Sequence, residues 1–384
     1  MAGIEELLEG KRVCVCAGSG GVGKTTTAAA IATGMAARGK RVAVLTIDPA
    51  KRLADSLGLP ELGNTERQVD PALFAAAGIE TDGELWAMML DAKQTFDAVV
   101  REHAPDPETR ERILNNRIYQ QLSTALAGSQ EYMAMEKLYE VHAEDRYDLL
   151  VLDTPPSRNA LDFLDAPNRL LQFIEGRALQ VFMKPTGLGM RVFGRGASMM
   201  FGVLRRITGT DLLEDLAEFF QAFGGMVGGF RERARRVNEL LCNPETAFLV
   251  VAAPQGEPVT EAVYFHSQLE EAKMHFGGVI VNRVHYEGQI AAGAGEDDAR
   301  SELAELLGDA ELAGRVASNF EDFRVLAERD RHNIQRLVSE LGAETVIEVP
   351  YLDHDVHDLS GLLEIHRYLF ASGREERVAI AARV

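Results

Sequence analysis

Cysteine is scarce in this 384-residue chain: only Cys14, Cys16 and Cys242 occur, and no C-x-x-C pair is formed. A disulfide framework and a clustered thiolate metal site are thereby excluded. Cys14 and Cys16 alternate with Val13 and Val15, so they read as core residues of a buried strand. Positive charge is also short. Lys and Arg total 40 against 59 Asp and Glu, a net charge of −19, and such a surface is a poor match for nucleic-acid phosphates. No nucleic-acid partner is expected. No run approaches the roughly 20 apolar residues of a membrane span. Met1 to Lys11 is acidic and lacks the apolar centre of a signal peptide, so a cytoplasmic location is the expectation. What remains is ordinary globular composition, 46% hydrophobic and 26% charged, enough to build a substantial core.

Short apolar runs recur at Arg12–Ala17, Arg41–Ile47, Leu85–Leu90, Asp148–Asp153, Ala247–Ala253, Gly277–Asn282 and Thr345–Val349. Most are continuously apolar, as strands covered on both faces are. Their alternation with helical patterns predicts an α/β fold with a mostly parallel, doubly wound sheet of about seven or eight strands. Ligands of such sheets bind beyond the carboxyl ends of the strands. Two stretches, Ala92 to Arg146 and Ser157 to about Leu241, are too long for simple crossovers and read as helical. From Leu212, apolar residues at Leu213, Leu216, Phe219, Phe220, Phe223, Met226, Val227 and Phe230 keep helical spacing, with Asp211 and Glu214 supplying a start. One domain, 1–384, with a helical insertion at 157–241 joined by helices from 92–146, is the expected organisation. Gly288 to Asp298 reads as a loop.

Gly18-Ser19-Gly20-Gly21-Val22-Gly23-Lys24-Thr25-Thr26 contains the full G-x-x-x-x-G-K-T motif between a strand and an alanine-rich helix, Thr27 to Ala37. Glycines at Gly20, Gly21 and Gly23, with Val22 between, let successive backbone N–H groups turn inward on phosphates, and the helix N-terminus adds positive potential. Lys24 is placed to neutralise the β- and γ-phosphates of ATP, the Thr25 hydroxyl to ligate Mg²⁺, and Thr26 to reach the α-phosphate. A chance glycine-rich loop is the alternative, and the match and its position argue against it. Asp48 ends the second strand, where a carboxylate can orient an attacking water in line. Asp153 ends the strand Leu149-Leu-Val-Leu-Asp and would hold the Mg²⁺ shell, through water. Taken singly, either aspartate could be a helix N-cap; with the P-loop upstream, catalytic roles are expected.

The loop G-x-G-G-V-G-K-T-T resembles the deviant Walker A loop of the ParA/MinD-like ATPases, which work as nucleotide-sandwiched dimers. Ser19 stands where that class has a lysine reaching across to the partner's phosphates, and serine has no charge to place there. The segments Asp48-Pro49-Ala50 and Asp153-Thr-Pro-Pro-Ser-Arg-Asn-Ala-Leu-Asp-Phe-Leu resemble the two switches of the arsenical pump-driving and guided-entry ATPase family, whose guided-entry members deliver tail-anchored membrane proteins. That resemblance spans about residues 12 to 370 and implies ATP hydrolysis with Mg²⁺, Asp48 as the catalytic switch residue beside Lys24, Asn282 reading the adenine edge, and Pro350 in the loop over the base.

The resemblance also gives the insertion a meaning. Met183, Met190, Met199, Met200 and Met226 lie in it, five of the chain's twelve methionines. From Asp165 to Arg206 seven basic residues face two acidic ones, a local charge of +5. Flexible methionines repack around varied apolar partners, and a basic rim suits an acidic or membrane-proximal one. A hydrophobic membrane-protein client or membrane partner is one expectation; core packing of the subdomain is the other. The chain is expected to pair, either as a homodimer or as a heterodimer with a related subunit that supplies the missing lysine. In the second case this chain would be a weakly active nucleotide-binding subunit. A subunit of an anion or metalloid efflux ATPase is a further alternative, disfavoured by the lack of clustered thiols.

Overall fold

The computed structural model describes residues 3–47, 51–117, 119–120, 129–154, 226–286, 296–342 and 346–381, with isolated positions 166, 169, 172, 219, 222 and 224. Eight strands, β1 (Val13–Ala17), β2 (Arg41–Thr46), β3 (Arg67–Gln68), β4 (Glu84–Met89), β5 (Leu149–Asp153), β6 (Thr246–Ala252), β7 (Phe276–Val284) and β8 (Val346–Pro350), form one sheet in the order β3-β4-β2-β5-β1-β6-β7-β8. All neighbours pair in parallel except β3, which runs antiparallel to β4. The expected α/β class and the seven apolar strands are therefore present.

The eighth strand, β3, was not expected. It has two exposed residues, Arg67 and Gln68, with no apolar signal. It exists because the outer edge of β4 offers unpaired backbone groups, and Val69 N–H also donates to Leu85 O at 2.8 Å.

The helices of the described residues are α1 (Ile4–Leu7), α2 (Lys24–Ala36), α3 (Arg52–Ser56), α4 (Pro71–Ala76), α5 (Ala92–His103), α6 (Pro107–Asn115), α7 (Ser129–Ala143), α8 (Val227–Leu241), α9 (Gly256–Glu271), α10 (Glu296–Leu307), α11 (Ala310–Leu341), α12 (Leu359–Leu369) and α13 (Arg374–Ala381). Side chains alternate across each strand, and the sheet thereby feeds two cores. Val13, Val15, Leu150 and Leu152 face a layer that includes Val100 of α5, Leu138 of α7, Val237 of α8, Phe265 of α9 and Leu337 of α11. Cys14, Cys16, Val42, Val44 and Val151 face the opposite layer with Ile31 and Met35 of α2, Phe74 of α4 and Leu362 of α12. β1, β5, β6 and β8 are buried along their whole length, which is why their sequences are near-continuous apolar runs, with Asp153, Thr246 and Glu348 as the buried polar positions.

Of the segment read as a loop, Gly288 to Asp298, residues 288–295 lie outside the described residues, and Glu296 to Asp298 open α10 instead. Most of the 157–241 insertion also lies outside the described residues; its last part is α8. No helix among the described residues is long and apolar enough to cross a membrane.

Candidate functional site

β1 ends at Ala17 and α2 begins at Lys24, so the six residues between must turn back over the carboxyl edge of the sheet. Two glycines make that turn possible. Gly18 has φ +152°, and a Cβ there would lie 2.1 Å from the Val251 carbonyl oxygen of β6. Gly23, the N-cap of α2, is left-handed (φ +94°), and a Cβ there would lie 2.3 Å from Asn282 Nδ2. The loop is thus pressed against two strands of the sheet, at distances only a hydrogen permits. The first turn of α2 carries no acidic residue, so the positive end of its dipole is not offset from within the helix.

Beneath this loop the polar groups converge. Asp153, at the end of β5 and fully buried, accepts on Oδ2 from the Thr25 hydroxyl at 2.7 Å and from the Thr46 hydroxyl at 2.9 Å. Lys24 is 6% exposed and its Nζ donates to the Ser19 carbonyl at 2.8 Å. Thr154 closes the seam between β5 and β1, with its N–H and Oγ1 donating to the Cys16 carbonyl at 3.2 and 2.9 Å. The Cys16 thiol is held protonated: its neighbour Cys14, burial and the Asp153 carboxylate all raise its pKa. It is core, as the strand pattern implies, and no thiolate ligand.

Asn282, near the end of β7, donates from Nδ2 to the Val22 carbonyl at 2.9 Å, and its Oδ1 accepts from Arg283 N–H at 3.0 Å. Arg283 is left-handed (φ +64°), which turns the strand end so that this closed contact forms. Pro350 ends β8 opposite Val284, and Tyr351 N–H continues the ladder to Val284 O at 2.9 Å. Gly20, Gly21, Val22, Gly23, Lys24, Thr25, Thr26, Asp153, Asn282 and Pro350 therefore all lie at the carboxyl edge of neighbouring strands. Asp48 lies outside the described residues. So do Met183, Met190, Met199 and Met200, while Met226 is buried at 2% and packs in the core, not on a surface groove.

Thr46 was not anticipated as a site residue. Its only signal is a hydroxyl ending an otherwise apolar buried run, Val42-Ala-Val-Leu-Thr. The donor set suits Mg²⁺: a hydroxyl and a carboxylate, both hard oxygen donors, at hydrogen-bond distance beneath the glycine loop, for a cation that keeps most of its waters. Among the described residues no group of three or more His, Cys, Asp or Glu side chains is arranged to hold a metal by itself.

A family model described as anion-transporting ATPase matches residues 11–329. The chain belongs to that family of ATPases. An Aquifex aeolicus protein named as an arsenical pump-driving ATPase is 27% identical over 277 residues, covering 71% of this chain and 63% of that protein. The ATPase get3 of Schizosaccharomyces japonicus is 26% identical over 271 residues, 70% of this chain and 72% of its own. An ATPase ASNA1 homolog of Trypanosoma cruzi is 25% identical over 332 residues, 80% of this chain and 83% of its own. The chain thus spans less than two thirds of the length of the Aquifex relative. Within this anion-transporting ATPase family member, the matched region takes in the P-loop, Asp153 and Asn282.

Proposed function

We propose that the chain binds and hydrolyses Mg-ATP, and that its nucleotide state switches a dimer and a hydrophobic, client-binding helical surface used in membrane-protein targeting or chaperoning. The observation that carries the nucleotide reading is the Thr25–Asp153 hydrogen bond of 2.7 Å directly under the P-loop. It joins the hydroxyl of the helix start to the carboxylate of the neighbouring strand, the pair that together would hold Mg²⁺. When bound, Mg²⁺ would withdraw charge from the phosphate oxygens. Lys24 would exchange the Ser19 carbonyl for the β- and γ-phosphates, and the backbone N–H groups of Gly20 to Thr25 would line the remaining oxygens. Asp48 would orient the attacking water. Support for the client surface is the methionine content and local charge of the insertion, together with relatives named get3 and ASNA1. A cytoplasmic location follows from the same reading.

Ser19 favours a second reading, a heterodimer in which a related subunit supplies the lysine. An efflux role, suggested by the name of the Aquifex relative, finds no support in the thiols: Cys14 and Cys16 are fully buried within the sheet.

The test is ATP turnover across a protein concentration series, with mass measured in the same samples. Turnover that rises with dimer formation is expected, and tight ATP binding with little turnover would instead support the paired-subunit reading. Lys24→Ala should abolish binding or turnover; Asp48→Asn should keep binding and slow turnover by about 10² or more. Undiminished turnover in Lys24→Ala would refute the P-loop assignment.

A further inference from the structure

α11 runs for 32 residues, and its two halves have different surroundings. The C-terminal half lies on the sheet, with Ala327, Asp330, Ile334 and Leu337 buried. Asp330 Oδ2 accepts from the His285 ring Nδ1 at 2.7 Å, and Asn333 Nδ2 donates to the Pro254 carbonyl at 3.1 Å. His285 and Pro254 stand one and two residues past the ends of β7 and β6, so these contacts mark the carboxyl edge of the sheet. The N-terminal half, Ala310 to Asp330, is about 30 Å of helix that runs on past that edge. α10 packs along it, and the two form a helical hairpin.

The apolar face of α11 does not stop at the sheet. Leu312, Val316, Phe320 and Phe323 continue, at steps of three and four, the face that Ala327 to Leu337 bury. Yet Phe320 is 40% and Phe323 51% exposed. Six of the eight large hydrophobic side chains exposed among the described residues lie on this hairpin: Leu306, Leu307, Leu312, Phe320, Phe323 and Val325. Apolar surface gathered in this way marks a place where something else docks. Two antiparallel helices with an open apolar face lack the third element that would close a bundle.

Charge selects that element. Leu303 to Val325 contains five acidic residues, Glu305, Asp309, Glu311, Glu321 and Asp322, against Arg315 and Arg324. Arg324 is paired with Glu321 at 2.7 Å, and Asp309 caps α11. Glu305, Glu311 and Asp322 are exposed, the last two directly before Leu312 and Phe323. A second copy, docked about a two-fold axis, would set the same acidic flanks against each other, on chains that each carry −19. An anionic lipid surface would be repelled for the same reason. A helix with one apolar face bordered by Lys or Arg matches both the stripe and its flanks.

We propose that the α10–α11 hairpin is a docking surface for a basic amphipathic helix of a partner protein. Its apolar face lies on the stripe from Leu312 to Phe323, and its basic borders meet Glu305, Glu311 and Asp322. The surface is separate from the P-loop and from the 157–241 insertion, and the inference does not depend on nucleotide binding.

The probe is a synthetic Leu/Lys helix of about five turns, with Leu on one face, titrated calorimetrically into the full chain. A Leu/Glu peptide of the same pattern and a Leu/Lys peptide of scrambled order are the controls. One saturable site for the Leu/Lys helix is expected, and neither control should fill it. Leu312→Asp combined with Phe320→Asp should weaken binding by about tenfold or more, although these changes add negative charge. Glu311→Gln combined with Asp322→Asn should weaken it by about threefold and flatten its salt dependence. Tyr264→Asp, at an exposed ring on α9, should leave it unchanged. Thermal unfolding identifies any variant that fails to fold, and Phe320→Ser then replaces the stripe variant. Equal binding by wild type and stripe variant, or by either control peptide, would overturn the proposal. So would a wild-type dimer that the stripe variant loses, which would assign the face to a second copy. Binding of phosphatidylcholine vesicles that the stripe variant loses would overturn it in favour of a membrane.

Discussion

Replacing Thr46 by valine exchanges one hydroxyl for one methyl at a position 1% exposed, in a strand that already favours β-branched residues. Shape and burial are kept. What is lost is the 2.9 Å bond to Asp153 Oδ2, one of the two hydroxyl bonds described for that oxygen. A hydrogen bond to a buried carboxylate contributes about 1.5–3 kcal/mol, and the added apolar group returns about 0.8 kcal/mol. A net destabilisation of about 1–2 kcal/mol follows. The functional consequence is larger, because Asp153 Oδ2 would then lose one of the two threonine hydroxyls that orient it under the P-loop. Loss of such an outer partner weakens metal affinity by about tenfold or more, so the Mg²⁺ concentration for half-maximal ATP turnover should rise by that factor. Thr46→Ser restores the donor and should restore both quantities. Urea unfolding and a Mg²⁺ titration of turnover measure them. Stability within about 0.5 kcal/mol of wild type, with an overlapping Mg²⁺ titration, would refute the claim that Thr46 holds Asp153.

Two further substitutions probe the frame around the site. Gly18→Ala places a methyl 2.1 Å from the Val251 carbonyl oxygen at a φ of +152°; the loop must lift off the sheet, at about 2 kcal/mol or more, and ATP affinity should fall with stability in equilibrium titrations. On the far face of α2, His366 accepts from Arg38 on Nε2 at 2.6 Å, with Nδ1 toward the Leu363 carbonyl, and burial and the Arg38 charge lower its pKa to about 4. The unfolded chain therefore binds a proton there between pH 6.5 and 4 that the folded chain refuses, and stability is lost as pH falls through that window. The shift from 6.5 to about 4 sets an upper limit of about 3 kcal/mol. The difference in melting temperature between wild type and His366→Gln should be constant above pH 6.5 and move in the variant's favour as pH falls from 6.5 toward 4; a difference that stays constant across that window would exclude His366 as the cause.

The P-loop was legible because its chemistry is contiguous. Gly18 to Thr25 supply backbone donors, a cation and a hydroxyl from eight consecutive residues, and the strand before and helix after are apolar and alanine-rich in turn. The seven apolar strands were legible for a similar reason: burial on both faces leaves an unbroken run in the chain itself. β3 was invisible, since Arg67 and Gln68 pair only because the β4 edge is there to receive them. α11 was also missed. Its buried positions Ala313, Ala327, Asp330, Ile334 and Leu337 are sparse along 32 residues, and one of them is an aspartate that reads like any other charge in Glu328-Arg-Asp-Arg.

By itself, then, the sequence determined the class of fold, the phosphate cradle and the strand-end aspartate Asp153, all properties of short segments. Only the tertiary structure decided that Thr46 and Asp153, 107 residues apart, share a hydrogen bond, that Asn282 reaches the carbonyl of Val22 across 260 residues, and that Asp330 holds His285. The first two depend on strand order, with β5 between β2 and β1 and β6 between β1 and β7, and the third on where the long helix α11 packs. Hydrophobic periodicity records which face of an element is buried; it carries no record of which element lies beside it.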